Sequence, residues 1–164
     1  LLSKKQTVQI TAKVAANLLR DQDDEGASIA QRPVTEQPYW HIERARIEKT
    51  QNVGIELIVN GEPVDTAEII ADGKWKEVTF SYPVVHSGWI ALRVYASSHT
   101  NPVFIEVGGK PIHIKKSAEW CRMVVDQCWK MKQSNIRQEE RPAAEAAYNS
   151  ARNVYDKIIQ TSTD

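Results

Sequence analysis

IELIVNGEPV, residues 55–64, is the stretch whose reading decides the fold. An apolar run, Ile55–Val59, meets Asn60-Gly61 and the chain resumes at Pro63. A tight type I′ turn needs positive φ at both central positions, which Asn and Gly adopt at the least steric cost. The stretch therefore predicts a β-hairpin, and the segments around it are read against that period.

Upstream, Thr7–Ala16 alternates, with Val8, Ile10, Ala12, Val14 and Ala16 on one face and Thr7, Gln9, Thr11 and Lys13 on the other. That is the pattern of a half-buried strand. Residues 17–38 form a long irregular segment, acidic at Asp21–Glu25 and proline-containing at its end, which holds a short helix or wraps the surface. Tyr39–Ile47 is expected to resume as a strand. Downstream of the hairpin, Asp72-Gly73 marks a turn into Trp75–Tyr82, where Val78, Phe80 and Tyr82 share a face. Trp89–Ala96 follows with Ile90, Leu92, Val94 and Ala96 on one face, then Val103–Val107, and Gly108-Gly109 turns it into Pro111–Ile114. Seven or eight short strands with turn residues between them fit an antiparallel β-sandwich better than alternating β-α units.

At Ser117 the period changes. Ser117 is a candidate N-cap with Glu119 in the first turn, and Cys121, Val124, Val125 and Cys128 form an apolar stripe widened by Trp120, Trp129 and Met131. Pro142 suits the first turn of a second helix, along which Ala144, Ala147, Tyr148, Ala151, Val154, Tyr155 and Ile158 recur three or four apart. The fold expected is mainly β: an immunoglobulin-like antiparallel β-sandwich over residues 1–116, followed by a two-helix hairpin over 117–164 packed on it as one structural unit. Cys121 and Cys128 stand seven apart, about 10 Å along a helix. A disulfide tolerates about 7 Å between Cα atoms, so they do not pair and read as buried apolar thiols.

Of 164 residues, 41% are apolar and 26% charged, and 21 basic side chains balance 21 acidic ones. The composition is that of a globular chain, and its zero formal charge gives no argument for nucleic acid as a partner. No apolar run approaches the ~20 residues that cross a bilayer. The start, Leu-Leu-Ser-Lys-Lys-Gln, has neither an initiator Met nor a signal-peptide core, as expected of a piece of a longer protein.

ASSHTNPVF, residues 96–104, sets two serines, a histidine, a threonine and an asparagine between apolar runs. Neighbouring side chains in an extended segment face opposite ways, so Ser98 and His99 do not meet as nucleophile and base. No G-x-S-x-G elbow accompanies them, and Asn101-Pro102 favours a turn, so the stretch reads as a connection. His41, His86, His99 and His113 show no His-x-His or His-x-x-x-His spacing, and no local metal site is expected. P-loop and G-x-G-x-x-G motifs are missing, and no catalytic residue is assigned. Five tryptophans favour core packing, while Tyr39, Trp75, Trp89 and Tyr95 are the rings that a sugar-binding platform would use. Arg93 shares a strand face with Trp89, Ala91 and Tyr95, either solvated with its stem on aromatics or paired at an interface. The candidate contact residues are Trp75, Trp89, Arg93, His99 and Asn101.

PYWHIERARI (38–47), IELIVNGEPV (55–64), GWIALRVYASSHTNPVFIEVGGKPI (88–112) and SAEWCRMVVDQCW (117–129) together resemble the C-terminal region of CehA/McbA-type metallohydrolases, relatives of the polymerase-and-histidinol-phosphatase phosphoesterases. The resemblance runs from about Thr7 to the end. It implies a bacterial metal-dependent hydrolase as parent, its divalent metals held in an upstream catalytic domain by motifs that do not occur here. This chain is then a non-catalytic accessory domain without a cofactor of its own, docking on or bordering that domain. The resemblance also implies a periplasmic or exported setting. A ligand-binding module, foremost for carbohydrate, and an oligomerisation unit built on the C-terminal helices are the alternatives. Membrane insertion is not expected.

Overall fold

The computed structural model describes residues 1–162. Seven strands form two antiparallel sheets. β1 (Gln6–Val14) pairs with β4 (Lys76–Val84) along its whole length. The larger sheet runs β3 (Glu62–Ile70), β2 (Asn52–Val59), β5 (Gly88–Val94), and the far edge of β5 carries both β6 (Ser98–His99) and β7 (Val103–Ile105). Asn60 and Gly61 adopt φ of 52° and 96°, the two positive values that the β2–β3 turn demands.

Both sheets contribute to one apolar core because each strand buries alternate residues. β2 sends Val53, Ile55 and Leu57 inward, β5 sends Ile90, Leu92 and Val94, and β4 sends Val78 and Phe80. Ile10, Ala12 and Val14 of β1 pack against them, half-buried. Phe80, Ile55, Leu57 and Val53 are essentially sealed from solvent, and burial of side chains of this size stabilises by about 1.5–3 kcal/mol each.

The irregular segment contains helix α1 (Asp24–Gln31), started by Asp23, whose Oδ1 accepts from the Gly26 N–H at 2.7 Å. Residues expected as a strand over 39–47 form instead a 3-10 turn at Ile42–Ala45, with only Arg46 bridging to Val53. Local side chains outcompete sheet pairing here. His41 Nδ1 accepts from the Glu43 N–H, and the Arg44 guanidinium donates to the carbonyls of Arg32, Pro33, Glu36 and Pro38. Arg46 makes a bidentate pair with Glu43, both bonds 2.7 Å, and donates further to Thr50 O and Leu19 O. Gln22 adds a bond to Glu43 Oε2, so the pair ties residues 19–50 together although it is buried.

Two more elements differ from their sequence reading. Pro111–Ile114 is not a strand, and the C-terminal helix pair begins without Ser117 as cap. Helix α2 spans Lys115–Lys132 with Ile114 at the N-cap position and no side-chain cap bond, while α3 spans Arg141–Thr161 with Pro142 in its first turn. These helices, with α1, occupy about as many residues as the strands, so the chain is an antiparallel β protein with a substantial helical part and not mainly β. α2 and α3 face each other through Trp129 and Tyr148, ring centroids 5.0 Å apart, and through Arg122 and Arg152, which converge on Asp126, with Arg122 also reaching Asp156. Ala118 is the single buried residue of α2, and α3 has none. Cys121 and Cys128 are free thiols, half-buried on α2.

Candidate functional site on the outer face of the large sheet

The period of β5 decides what this face presents. With Ile90, Leu92 and Val94 turned to the core, Trp89, Ala91 and Arg93 turn outward. Cross-strand register then supplies their neighbours: Ile58 opposite Ala91, Glu56 and His99 on either side of Arg93, and Phe104 beside Trp89. All of these but Glu56 line a shallow cavity of about 470 Å3, apolar along Ile58, Trp89, Ala91, Pro102 and Phe104 and polar at the end formed by Arg93, His99 and Thr100.

Arg93 is paired within its own sheet. Its Nε donates to Glu56 Oε2 at 2.6 Å, and its guanidinium lies 5.3 Å from the centroid of the Tyr95 ring. The ring quadrupole attracts the cation, and the paired carboxylate fixes its direction. Glu56 is therefore engaged as a partner of Arg93.

The polar stretch 96–104 folds more tightly than a six-residue connection. A turn at Tyr95–Ser97, with Ala96 at φ 60° and the Ser97 N–H donating to Val94 O, returns the chain onto β5 as β6. Thr100 then holds both polar groups of one core residue: its N–H donates to Leu92 O at 2.9 Å, and its hydroxyl accepts from the Leu92 N–H at 3.1 Å. His99 Nδ1 lies 3.0 Å from Thr100 O, a bond to the next residue and not to a serine.

Trp89, Arg93 and His99 thus meet in one cavity. Trp75 is 73% exposed and lines a different recess, with Ala12 and Val14 of β1, which Arg93 and His99 also border. Asn101 is exposed and lines neither. Tyr39 stacks edge-on against Trp40, outside this face. Phe104, Ile58 and Glu56 escape sequence reading because only the register of β7 and β2 against β5 brings them to Trp89 and Arg93. Their one sequence signal is Phe104 itself, a large apolar side chain two residues after a turn-favouring Asn-Pro.

Chemically, the face offers a flat apolar floor with a charged and hydrogen-bonding end, which suits holding a surface or a ring. Among the described residues, no group of three His, Cys, Asp or Glu side chains converges as a metal site, and no helix is long and apolar enough to cross a membrane. Comparison of the chain with family models, curated proteins and solved structures found no match.

Proposed function

We propose that this chain is a non-catalytic, immunoglobulin-like accessory region of a CehA/McbA-type metal-dependent hydrolase, and that the outer face of its large sheet docks on, or borders, the catalytic domain upstream. The observation that carries the reading is the position of the longest resembling stretch. Residues 88–112 supply β5, β6 and β7, hence Trp89, Arg93, His99 and Phe104 of that face. An exposed apolar strip rimmed by polar groups is the usual mark of a docking surface. The divalent metals belong to the absent catalytic domain, and the setting implied is periplasmic or exported.

The purified chain, assayed against phosphoesters with and without Mn²⁺ or Zn²⁺, is expected to fold and to hydrolyse nothing. Metal-dependent turnover that disappears in His99→Ala would overturn the reading. Ligand binding is a second reading, favoured by the 73% exposure of Trp75 and the 40% exposure of Tyr95 beside Arg93. Saturable binding of an oligosaccharide, lost in Trp75→Ala or Trp89→Ala, would replace docking with carbohydrate recognition. Self-association through the helix pair is a third, drawn from Trp120, Met123 and Met131, all more than half exposed. Sedimentation of the fragment as a strict monomer would remove it.

A further inference from the structure

A second concavity lies where the sheets meet the helix pair. Four separate segments wall it: the N-terminal approach to β1, the β4–β5 turn, residues 107–113, and the last two turns of α3. Its volume is about 980 Å3, at the upper end of the range of small-ligand sites. The hydrogen bond between His113 Nδ1 and Thr161 Oγ1, 3.0 Å, joins two of these walls.

Its chemistry is one-sided. Lys4, Lys5, Lys110 and Lys157 line it, and no Asp or Glu does. None of these four ammonium groups forms an ion pair among the described residues, although the chain as a whole is electrically balanced. Between the lysines the wall is apolar: Val85, Val107, Pro111, Val154 and Ile158. Ser87 is not available to a ligand, since its hydroxyl donates to Lys110 O and accepts from the Val107 N–H. The C-terminal end of α3 is the negative end of its dipole, but the carbonyls of Lys157 and Ile158 there already accept from Thr161 and Ser162. Four whole positive charges therefore outweigh that half-charge.

We infer that this cleft binds a small amphiphilic anion, a carboxylate head held among Lys4, Lys5, Lys110 and Lys157 with its hydrocarbon body on Val107, Pro111 and Ile158. The inference is independent of the docking face proposed above, which lies on other residues. Cations without local partners raise the local concentration of anions, and an apolar wall between them gives the attached chain a place to leave water. A neutral molecule of the same shape keeps only the second contribution, and an inorganic anion only the first.

The experiment is calorimetric titration of the full chain with decanoate, decanol and inorganic phosphate at low salt, with amide chemical shifts followed by NMR. Decanoate is expected to bind saturably, at least about tenfold more tightly than decanol or phosphate, and to weaken as salt screens the lysines over about 10 Å. Shifts should concentrate at Val85–Ser87, Val107–His113 and Val154–Thr161. Lys110→Ala with Lys157→Ala should weaken decanoate about fivefold, because two of the four cations are removed, and leave decanol unchanged. Lys130→Ala with Lys132→Ala, at the other end of α2, should change neither. Equal affinity for decanol, shifts on the outer sheet face instead, or an equal loss in the Lys130/Lys132 variant would each overturn the assignment.

Discussion

Glu43 and Arg46, three residues apart, face each other as a buried bidentate pair whose two bonds are both 2.7 Å. A pair so enclosed is costly to form, because both ions leave water, but removing one partner costs more by stranding the other. Arg46→Ala is expected to destabilise the chain by about 3–5 kcal/mol in urea denaturation. Glu43→Leu with Arg46→Met should recover most of that loss, since neither charge is then left unpaired. A double variant as unstable as Arg46→Ala would show that the carbonyl contacts of Arg46 matter more than the ion pair.

The same pair sets a pH dependence. The bonds from Arg46 hold the Glu43 carboxyl below its ordinary range against the opposing effect of burial, with a smaller contribution from Gln22. A carboxylate with a depressed folded pKa adds stability that is complete above its unfolded value, about 4.3, and is lost as pH falls through the folded one. Urea midpoints should therefore drop between pH 5 and pH 3, and Glu43→Gln should show a shallower drop from a lower starting point. An identical pH profile in both proteins would assign the acid sensitivity elsewhere.

Gly88 is fixed by its neighbour. A Cβ there would sit 2.6 Å from Asn60 Oδ1, the atom that accepts from the Trp89 N–H at 2.9 Å. Gly88→Ala should cost about 1–3 kcal/mol by displacing that acceptor from a half-buried donor. Adding Asn60→Gly, which the turn tolerates but which removes that acceptor outright, should restore none of the loss, and a double variant more stable than Gly88→Ala would put the cost in the clash and not in the hydrogen bond. Thermal unfolding of the single and double variants gives the answer.

Thr100 provides a cleaner test of one hydroxyl. Thr100→Val keeps the shape but leaves the Leu92 N–H without its acceptor, at a cost of about 1–3 kcal/mol, while Thr100→Ser should stay near the parent. If both variants behave alike in denaturant unfolding, the hydroxyl is not what pins β5 to the returning strand.

Arg44 organises a loop and not the core. Its guanidinium donates to four carbonyls between Arg32 and Pro38, which a lysine ammonium, with three donors and no planar fork, cannot reproduce. Arg44→Lys is expected to leave the unfolding midpoint nearly unchanged and to speed cleavage after Glu36 by a glutamate-specific protease. Unaltered cleavage would mean that the loop holds its shape without those bonds.

What could be read from the residues were the features encoded within a few positions of one another. Asn60-Gly61 announced its turn because positive φ is a property of those two residues, and the inward faces of β4 and β5 followed from strict alternation at Val78–Phe80 and Ile90–Val94. The misread places depend on distant groups. Residues 39–47 carry enough apolar side chains to pass for a strand, yet Arg44 and Arg46 spend their donors on carbonyls at 19, 32–38 and 50. Ala96, no turn former, takes φ 60° because β6 must return onto β5. Ser117 resembled a cap, yet the helix begins at Lys115 with Ile114 at the N-cap position and no side-chain cap bond. Of the candidate residues, alternation sufficed to group Trp89 with Arg93, whereas His99, and with it the unforeseen Phe104, joins them only through pairing across the edge of β5.

The helix pair, in which Ala118 alone is buried and α3 is at most half-buried, has a consequence for the timescales of the molecule. Amide hydrogens bonded within the ladders of β2 with β3 and β5 sit over sealed side chains and should exchange with solvent only when the core opens. Those of α3 are guarded by Trp129 on Tyr148 and by surface charges around Asp126, so they exchange through openings confined to the helices. Hydrogen exchange is thus expected to run on two clocks, a slow one in the sheets and a fast one in the helices, and whatever binds along α3 should be seen first as a slowing of the second.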